Sequence, residues 1–399
     1  MSGTTTAEVV IVGGGIEGAA TAWALTCRGV CDVLVLERAS VGSGGTGRSS
    51  GIVRCHYGVR SLAAMAWCGV QLFTHAAEIL GVAGGVGFEP VGYLVGVGPR
   101  DAAALAANVA AAAEVGVDTR LADPEEVAQL WPEAELGDFA AFAYEPRGGY
   151  GDAYRTCHAY LAAARRGGVR VRQGAAVTRI VTAGDRAVGV ELADGGQVAA
   201  GTVVLAAGVW SAALAAGVGV ELPVRAQREQ ILLVSPGAPI IGRPVLSDLV
   251  SLQYVRPERS GELLVGNSDH SRPQWVDPDA FRQSADPEYT ELAVGRFAHR
   301  FPGLPDVALS SSYAGCYDVT PDYNPIISTT SVDGLVVAAG FSGHGFKISV
   351  AVGELVADLV VDGESSHPLI PAADFRLSRF AENDPLVSPH PYVGAGQMR

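Results

Sequence analysis

Lysine is nearly missing from this 399-residue chain: a single one, Lys347, stands against 27 arginines. A sequence that has placed arginine wherever a cation serves keeps lysine where a compact point charge is needed and a flat guanidinium does not fit. By composition alone, a chance surface lysine is as good a reading. The six cysteines (Cys27, Cys31, Cys55, Cys68, Cys157, Cys316) form no CxxC pair and no metal-ligand spacing. Reduced thiols in a cytoplasmic protein are therefore expected, with no metal site. No apolar run is long enough to span a bilayer, and residues 1–6 lack the basic segment and apolar core of a secretory signal. Positive charge is scarce as well. A net charge of −14 and a sequence pI near 5.0 argue against nucleic acid or an anionic membrane as partner. Internal repeats are also lacking, and apart from an alanine-rich helix over 101–113 there is no low-complexity block.

What is present is apolar and glycine-rich: 48% hydrophobic residues, 18% charged and 51 glycines. A chain of this length exceeds one ordinary core, so two domains are expected. The most informative stretch is Val9-Val10-Ile11-Val12-Gly13-Gly14-Gly15-Ile16-Glu17-Gly18, followed by Val33-Leu34-Val35-Leu36-Glu37. It reads as a buried strand, a glycine turn, a helix to about Cys27 and a second buried strand. Gly13 permits the tight turn, Gly15 lets the backbone approach a pyrophosphate, and Gly18 lets the helix pack closely on the strand. The helix start offers free N–H groups and a positive dipole to phosphates. Glu37, nineteen residues past Gly18, sits where an acid accepts from a ribose diol and repels a 2′-phosphate. An ADP-containing dinucleotide is the expected ligand.

A glycine- and serine-rich loop over 41–50 leads to the strand-like Gly51-Ile52-Val53-Arg54, and a helix is predicted over 61–81. From about Phe88 to Glu145 the pattern changes to a strand at 92–95, the alanine-rich helix and a capped helix opening at Asp123-Pro124. A helix over 153–166 then leads to a strand at 169–171 and a three-stranded meander at 177–181, 187–192 and 202–205. Alternating strands such as 230–234 and 262–266 follow. A last strand, 335–339, runs into Gly340-Phe341-Ser342-Gly343-His344-Gly345-Phe346-Lys347 and a helix to about Val361. The predicted class is α/β. A discontinuous Rossmann-like dinucleotide domain takes 1–86, 146–222 and 326–399. A second, α+β domain on a mixed or antiparallel sheet takes 87–145 and 223–325. The tail beyond Phe380, rich in proline and glycine, is expected to lie over the surface or to be mobile.

Four motifs in order make this chain resemble the D-amino-acid oxidase class of FAD-dependent enzymes. They are the glycine fingerprint with Glu37, Val204-Leu205-Ala206-Ala207-Gly208, the turn Thr320-Pro321-Asp322, and the segment Gly340–Lys347. Within that class it is most similar to the sarcosine oxidase branch, monomeric or beta-subunit-like. That likeness rests on Gly47-Arg48-Ser49-Ser50-Gly51-Ile52-Val53-Arg54 and Gly315-Cys316-Tyr317-Asp318-Val319-Thr320-Pro321-Asp322.

The resemblance spans roughly residues 8–375. It implies an FAD-binding domain of the glutathione-reductase type and a sheet-floored substrate domain, with the flavin between them. It implies oxidation of an amine next to a carboxylate, secondary, N-alkyl or cyclic, to an imine by hydride transfer to flavin. Reoxidation would be by O2 with H2O2 formation or by another acceptor. The carried-over roles are ADP binding at Gly13, Gly15 and Gly18, ribose at Glu37 and an adenine-side contact at Val177. Ser49 and Ser50 would face the pyrophosphate or flavin, and Gly343, His344, Gly345, Phe346 and Lys347 the flavin ring. Ile16, Glu17, Arg38, Arg48, Gly51, Ala207, Gly208, Gly315 and Gly340 complete the cofactor-binding set. On the substrate side the resemblance implies Arg54, Lys347, Tyr317 and, less directly, Tyr254.

Alternatives accompany these roles. Arg54 suits the bidentate grip of a carboxylate, or it is a strand-end arginine in a structural ion pair. Tyr254 is read equally well as a buried tyrosine satisfied by the backbone. His56 and His344 look like bases, but an amine that binds deprotonated needs none, and neither is assigned as catalytic. Departures from the family pattern matter too. The cysteine that tethers flavin in part of this branch falls at Gly315, and Cys316 points to the opposite face of an extended segment, so non-covalent FAD is expected. Leu264 replaces a lysine that promotes reaction with oxygen in some relatives, leaving oxidase or dehydrogenase open. Gly151 falls where multi-subunit relatives carry a second-flavin histidine, so a covalent FMN is not expected. A 2-hydroxy-acid dehydrogenase and the flavin subunit of a larger dehydrogenase are the competing readings.

Overall fold

The computed structural model describes residues 5–304, 306–365 and 367–393. Its first sheet grows from the apolar run at the start of the chain. In the strand Thr5–Val12 the last four side chains are buried, and in Val33–Leu36 all four are. Strands covered on both faces have no polar side, so these runs are continuous rather than alternating. The strand order is Ile326–Thr329, Leu335–Ala339, Gln197–Leu205, Thr5–Val12, Val33–Leu36, Arg170–Arg172. All neighbours are parallel except the first pair.

The two-residue period assigns each face its cover. Val9, Ile11, Val33 and Val35 pack under the helices Ile16–Cys27, Ala153–Arg166 and Gly345–Val361. Val10, Val12, Leu34 and Leu36 pack under the meander Val177–Ala183, Arg186–Leu192 and Gln197–Leu205. The first and last of those helices cross closely. A side chain on Gly353 would run into the backbone of Ala20 and Thr21.

A second sheet of eight strands is mixed. Its order is Ala308–Val319, Arg225–Ser235, Leu263–Asn267, Gln253–Pro257, Val245–Asp248, Tyr93–Val97, Ala141–Glu145, Arg120–Ala122. Only the Val245–Asp248 and Tyr93–Val97 pair is parallel. The helix Pro287–Arg300 covers its outer face through Ala293 and Phe297, beside Trp131 and Phe301. Arg300 is fully buried against Asp248 (2.8 Å) and Asp138 (2.7 Å), one of the structural posts that arginine fills here. A two-stranded ribbon, Ile52–Val53 with Gly149–Tyr150, carries the chain between the sheets.

One expectation changes. The helix foreseen over 61–81 is two, Arg60–Thr74 and Ala76–Ile79, because His75 leaves helical geometry at φ −110° and ψ 18°. The C-terminal tail lies over the surface as expected, with most of residues 381–393 exposed, but it is anchored there. Tyr392 is 3% exposed and packs among Ile52, Tyr93, Leu105 and Val109, and residues 394–399 lie outside the described range.

Filling the crossing should be costly: Gly353→Leu is expected to destabilise the protein by about 1–3 kcal/mol or more, as overpacking does. Thermal melting of the variant against the parent checks this.

Candidate active site

The glycine turn is built as its sequence requires. Gly13 has φ +115°, and a Cβ there would strike the carbonyl of Ala206; one at Gly18 would strike the carbonyl of Gly13. Glu37 closes the turn, its Oε2 accepting from the Gly14 amide and its Oε1 from the Ala39 amide, both at 2.8 Å. The Ala175 amide donates to the Glu37 carbonyl at 2.8 Å, bringing the meander strand that starts at Val177 beside the acid. Ala207 and Gly208, the latter at φ +53°, follow the strand that ends at Leu205. Thr46 Oγ1 accepts from the amide of Ile16 at 2.9 Å. Arg38 is committed elsewhere: it pairs with Asp279 at 2.7 Å and stacks 3.9 Å over Trp210.

Do these residues fit a dinucleotide cofactor? The helix starting at Ile16 presents first-turn N–H groups that no intrahelical carbonyl can satisfy. Beside them Glu17 is buried, and neither carboxyl oxygen has a hydrogen-bond partner among the described residues. A Cβ on Gly345, the first residue of the last helix, would collide with that carboxyl. Burial, reinforced by nearby Asp318, holds Glu17 well above the usual carboxylate range. Burial thus disfavours a negative charge at the helix start, where it would repel phosphate. A glycine turn at a helix N-terminus, beside a buried carboxyl with no hydrogen-bond partner among the described residues, fits a diphosphate-bearing group.

The loop before that last helix is tightly constrained. The amide of Gly340 (φ +74°) donates to Asp318 Oδ2 at 2.8 Å, and that of Ser342 to the Asp318 carbonyl at 3.0 Å. Ser342 itself sits at φ +50°, a left-handed conformation unusual outside glycine. Its hydroxyl, accepting from the Thr320 amide at 3.3 Å, helps hold the strain in place.

All four residues foreseen on the substrate side meet at one cleft: Arg54, Tyr254, Tyr317 and Lys347. Arg54 is 5% exposed, donates to the His56 carbonyl and lies 4.3 Å over the Tyr57 ring. Burial works against its charge, but Tyr57, Tyr93 and Glu145 outweigh that and raise its pKa. Lys347, also 5% exposed, donates to the Gly343 carbonyl at 3.3 Å. Burial first, and then Arg54, push its pKa well below the ordinary lysine value. Tyr254 bonds to Ser50 and lies flat over Gly266, where any side chain would displace it. Ser49 Oγ accepts from the amide of Gly51 (φ +66°) at 3.1 Å, shaping the turn ahead of Arg54.

Tyr317 and Gly315 share a face of the strand Ala308–Val319. The stem of Arg48 comes within 3.0 Å of where a Cβ on Gly315 would sit, while Arg48 Nη1 bonds the Ala314 carbonyl at 2.8 Å. Cys316 alternates to the other face, its thiol pushed up to about 11 by burial. His56 is lowered to about 3 by burial and then Arg54; His344 is lowered well below its usual value by burial and then Lys347. Both rings stay neutral and are engaged, His344 Nδ1 with the Tyr57 hydroxyl at 3.1 Å and His56 Nε2 with Tyr392 at 2.6 Å. Phe346 stacks on Phe73 at 4.9 Å.

Sequence reasoning missed two residues here. His270 lines the same cleft, with Gln227 Nε2 3.0 Å from its Nδ1 and Glu229 behind. Its signal was the polar run Asn267-Ser268-Asp269-His270 after an apolar strand. Glu145 ends the apolar strand Ala141–Glu145 and accepts from the Cys55 amide at 2.7 Å. Burial raises it to about 7.

Fold and cleft together define a dinucleotide-type oxidoreductase fold with two cationic side chains at one cleft. Residues 8–359 match the family described as FAD dependent oxidoreductase (DAO), and the chain belongs to it. It is 28% identical to sarcosine oxidase subunit beta of Rhodobacter capsulatus over 94% of this chain and 89% of that protein. It is 30% identical to 4-methylaminobutanoate oxidase (formaldehyde-forming) of Paenarthrobacter nicotinovorans over 90% of this chain and 44% of that one. L-proline dehydrogenase from P. horikoshii superposes with a TM-score of 0.86 at 25% identity, covering 96% of this chain and 100% of the other. Glycine oxidase from Geobacillus kaustophilus gives 0.80 at 26%, covering 94% and 99%. The cofactor is FAD, and the protein is an FAD-dependent amino-acid oxidoreductase. Among the described residues no helix is long and apolar enough to cross a membrane.

Glu145 predicts a pH dependence of stability. Its raised pKa keeps the folded state protonated between about 4.5 and about 7, where the unfolded chain has already ionised, so stability falls as pH rises through that window. Glu145→Gln should flatten the slope in thermal melts of the holoenzyme over that range.

Proposed function

We propose that this protein oxidises an amino acid whose nitrogen is secondary, N-alkyl or cyclic, at the carbon beside its carboxylate, giving an imine. The observation that carries the reading is the convergence of Arg54 and Lys347, both buried, on one cleft walled by Tyr254 and Tyr317. Two similar proteins, a sarcosine oxidase subunit beta and an L-proline dehydrogenase, are named for secondary amino acids. In this reading residues 1–86, 146–222 and 326–399 hold the cofactor, and 87–145 with 223–325 shape the substrate side.

Bound FAD supplies the two-electron acceptor. Gly13–Gly18, Glu37, Val177, Ala207 and Gly208 would hold its ADP part; Arg48, Ser49, Ser50, Gly51, Gly315 and Gly340–Lys347 would hold the rest. Arg54 offers a forked, charged donor to the substrate carboxylate, and Lys347 adds a point charge nearby. The tyrosines exclude water and fix the side from which the carbon is presented. His56 and His344, held neutral and hydrogen-bonded, take no proton, which fits an amine that enters deprotonated. Gly315 offers no sulfur and Cys316 faces away with a raised thiol pKa, so the cofactor is proposed to be non-covalent. Leu264, 1% exposed, stands where some relatives are known for an oxygen-promoting lysine. Electrons are therefore proposed to leave slowly to O2 or quickly to another acceptor, which a partner subunit would serve.

A hydroxy-acid substrate would need a base, and His270 with Glu229 behind it is the group in the cleft that offers one. Anaerobic bleaching of the flavin by amino acids, N-methyl amino acids and hydroxy acids decides: secondary amino acids should bleach it, and bleaching by hydroxy acids alone would contradict the proposal.

Replacing Arg54 by Met should raise the KM for the amino acid about 10- to 100-fold, the worth of a charged hydrogen bond. Lys347 is charged only below its lowered pKa. Carboxylate affinity should therefore weaken as pH rises through that value, a limb that Lys347→Met removes from the pH profile of KM. Acid precipitation should leave the yellow flavin in the supernatant; colour retained in the pellet would contradict a non-covalent cofactor.

A further inference from the structure

The C-terminal tail reaches the carboxylate site. Tyr392 lies beside His56, its hydroxyl 2.6 Å from Nε2 and the rings stacked at 5.9 Å. The carbonyl of that same histidine receives the Arg54 guanidinium. Two further bonds pin the tail down, and a third, from the His390 amide to Ser388, shapes it internally. Asn108 Nδ2 donates to the His390 carbonyl at 3.0 Å, the Val393 amide to Asp101 Oδ1 at 3.0 Å, and the His390 amide to Ser388 Oγ at 3.0 Å. Gly58, two residues beyond His56, has no room for a Cβ because Ser388 fills the place. The Tyr392 ring belongs to the apolar cluster of Ile52, Tyr93 and Leu249, all three of which line the cleft.

Arg54 thus receives its orientation from two sources. One is the ring of Tyr57 beneath it; the other is the carbonyl of His56, a residue whose ring bonds Tyr392, more than three hundred positions later in the chain. A long side chain held by one carbonyl is only as well placed as that carbonyl, and misplacement of a binding group costs affinity. We propose that Tyr392 is a positioning residue for substrate binding: through His56 it fixes the Arg54 guanidinium that grips the carboxylate. Resting as it does on the proposed role of Arg54, the inference extends the binding site to Tyr392, which is outside the residues lining the cleft.

The test uses the holoenzyme and acetate, titrated against the flavin absorption to give a dissociation constant. Tyr392→Phe keeps the ring and its packing and removes the hydroxyl; acetate affinity should fall about fivefold, the worth of one neutral hydrogen bond. Asn108→Ala, which frees His390, should move it the same way. Arg54→Met is the control. If it weakens acetate while Tyr392→Phe lowers only the melting temperature, the tail is structural and the inference is overturned. If neither variant changes acetate binding, the proposed role of Arg54 fails and takes the inference with it.

Discussion

Two cations buried in one cleft, Arg54 and Lys347, form the constraint around which this molecule is arranged. Burying a charge costs several kcal/mol unless an opposite charge answers it. Glu145, the acid whose charge acts on Arg54, is itself pushed up to about 7 by burial and spends one oxygen on the Cys55 amide. The field at the cleft is therefore positive and only partly compensated. Lys347 shows the tension most clearly, its proton loosened by burial and by the Arg54 charge. An anionic ligand relieves both side chains at once, so the same arrangement that costs stability supplies affinity, a trade common at functional sites.

The rest of the architecture brings that pair to the cofactor. Arg54 follows the two-stranded ribbon between the sheets, and Lys347 stands in the first turn of the helix Gly345–Val361. That helix packs against Ile16–Cys27 so closely that glycine is needed at position 353. The helix that opens the dinucleotide cradle and the helix that carries the lysine are one packed unit. Glu17 and Gly345 mark where their starts meet, and the strained Ser342 loop sets the entry angle of the second. Displacing either helix would move both ligand sites.

Much of this could be read in the chain itself. The glycine turn, Glu37, the parallel strands and the meander follow from local rules, since buried parallel strands and tight turns leave few residue choices. Lys347 was visible because its rarity is a property of composition. Arg54, Tyr254 and Tyr317 came from resemblance; their convergence depends on which strands of the second sheet lie beside the ribbon, and no periodicity encodes that. His270 and Glu145 were hidden for the same reason: each looks like an ordinary polar residue at a strand end until pairing brings it inward. The surface course of the tail was foreseen, but its anchor was not: its prolines and scattered polar residues carry no period, and the burial of Tyr392 is set by a distant apolar cluster.

The most direct measurement is calorimetric titration of the holoenzyme with a short-chain carboxylate over a pH series running up to the ordinary lysine pKa, in two buffers of different ionisation heat. The account predicts net proton uptake as the anion recharges Lys347, with no uptake once that residue is methionine. Binding with no proton exchange in the unaltered protein, or with proton release, would contradict it.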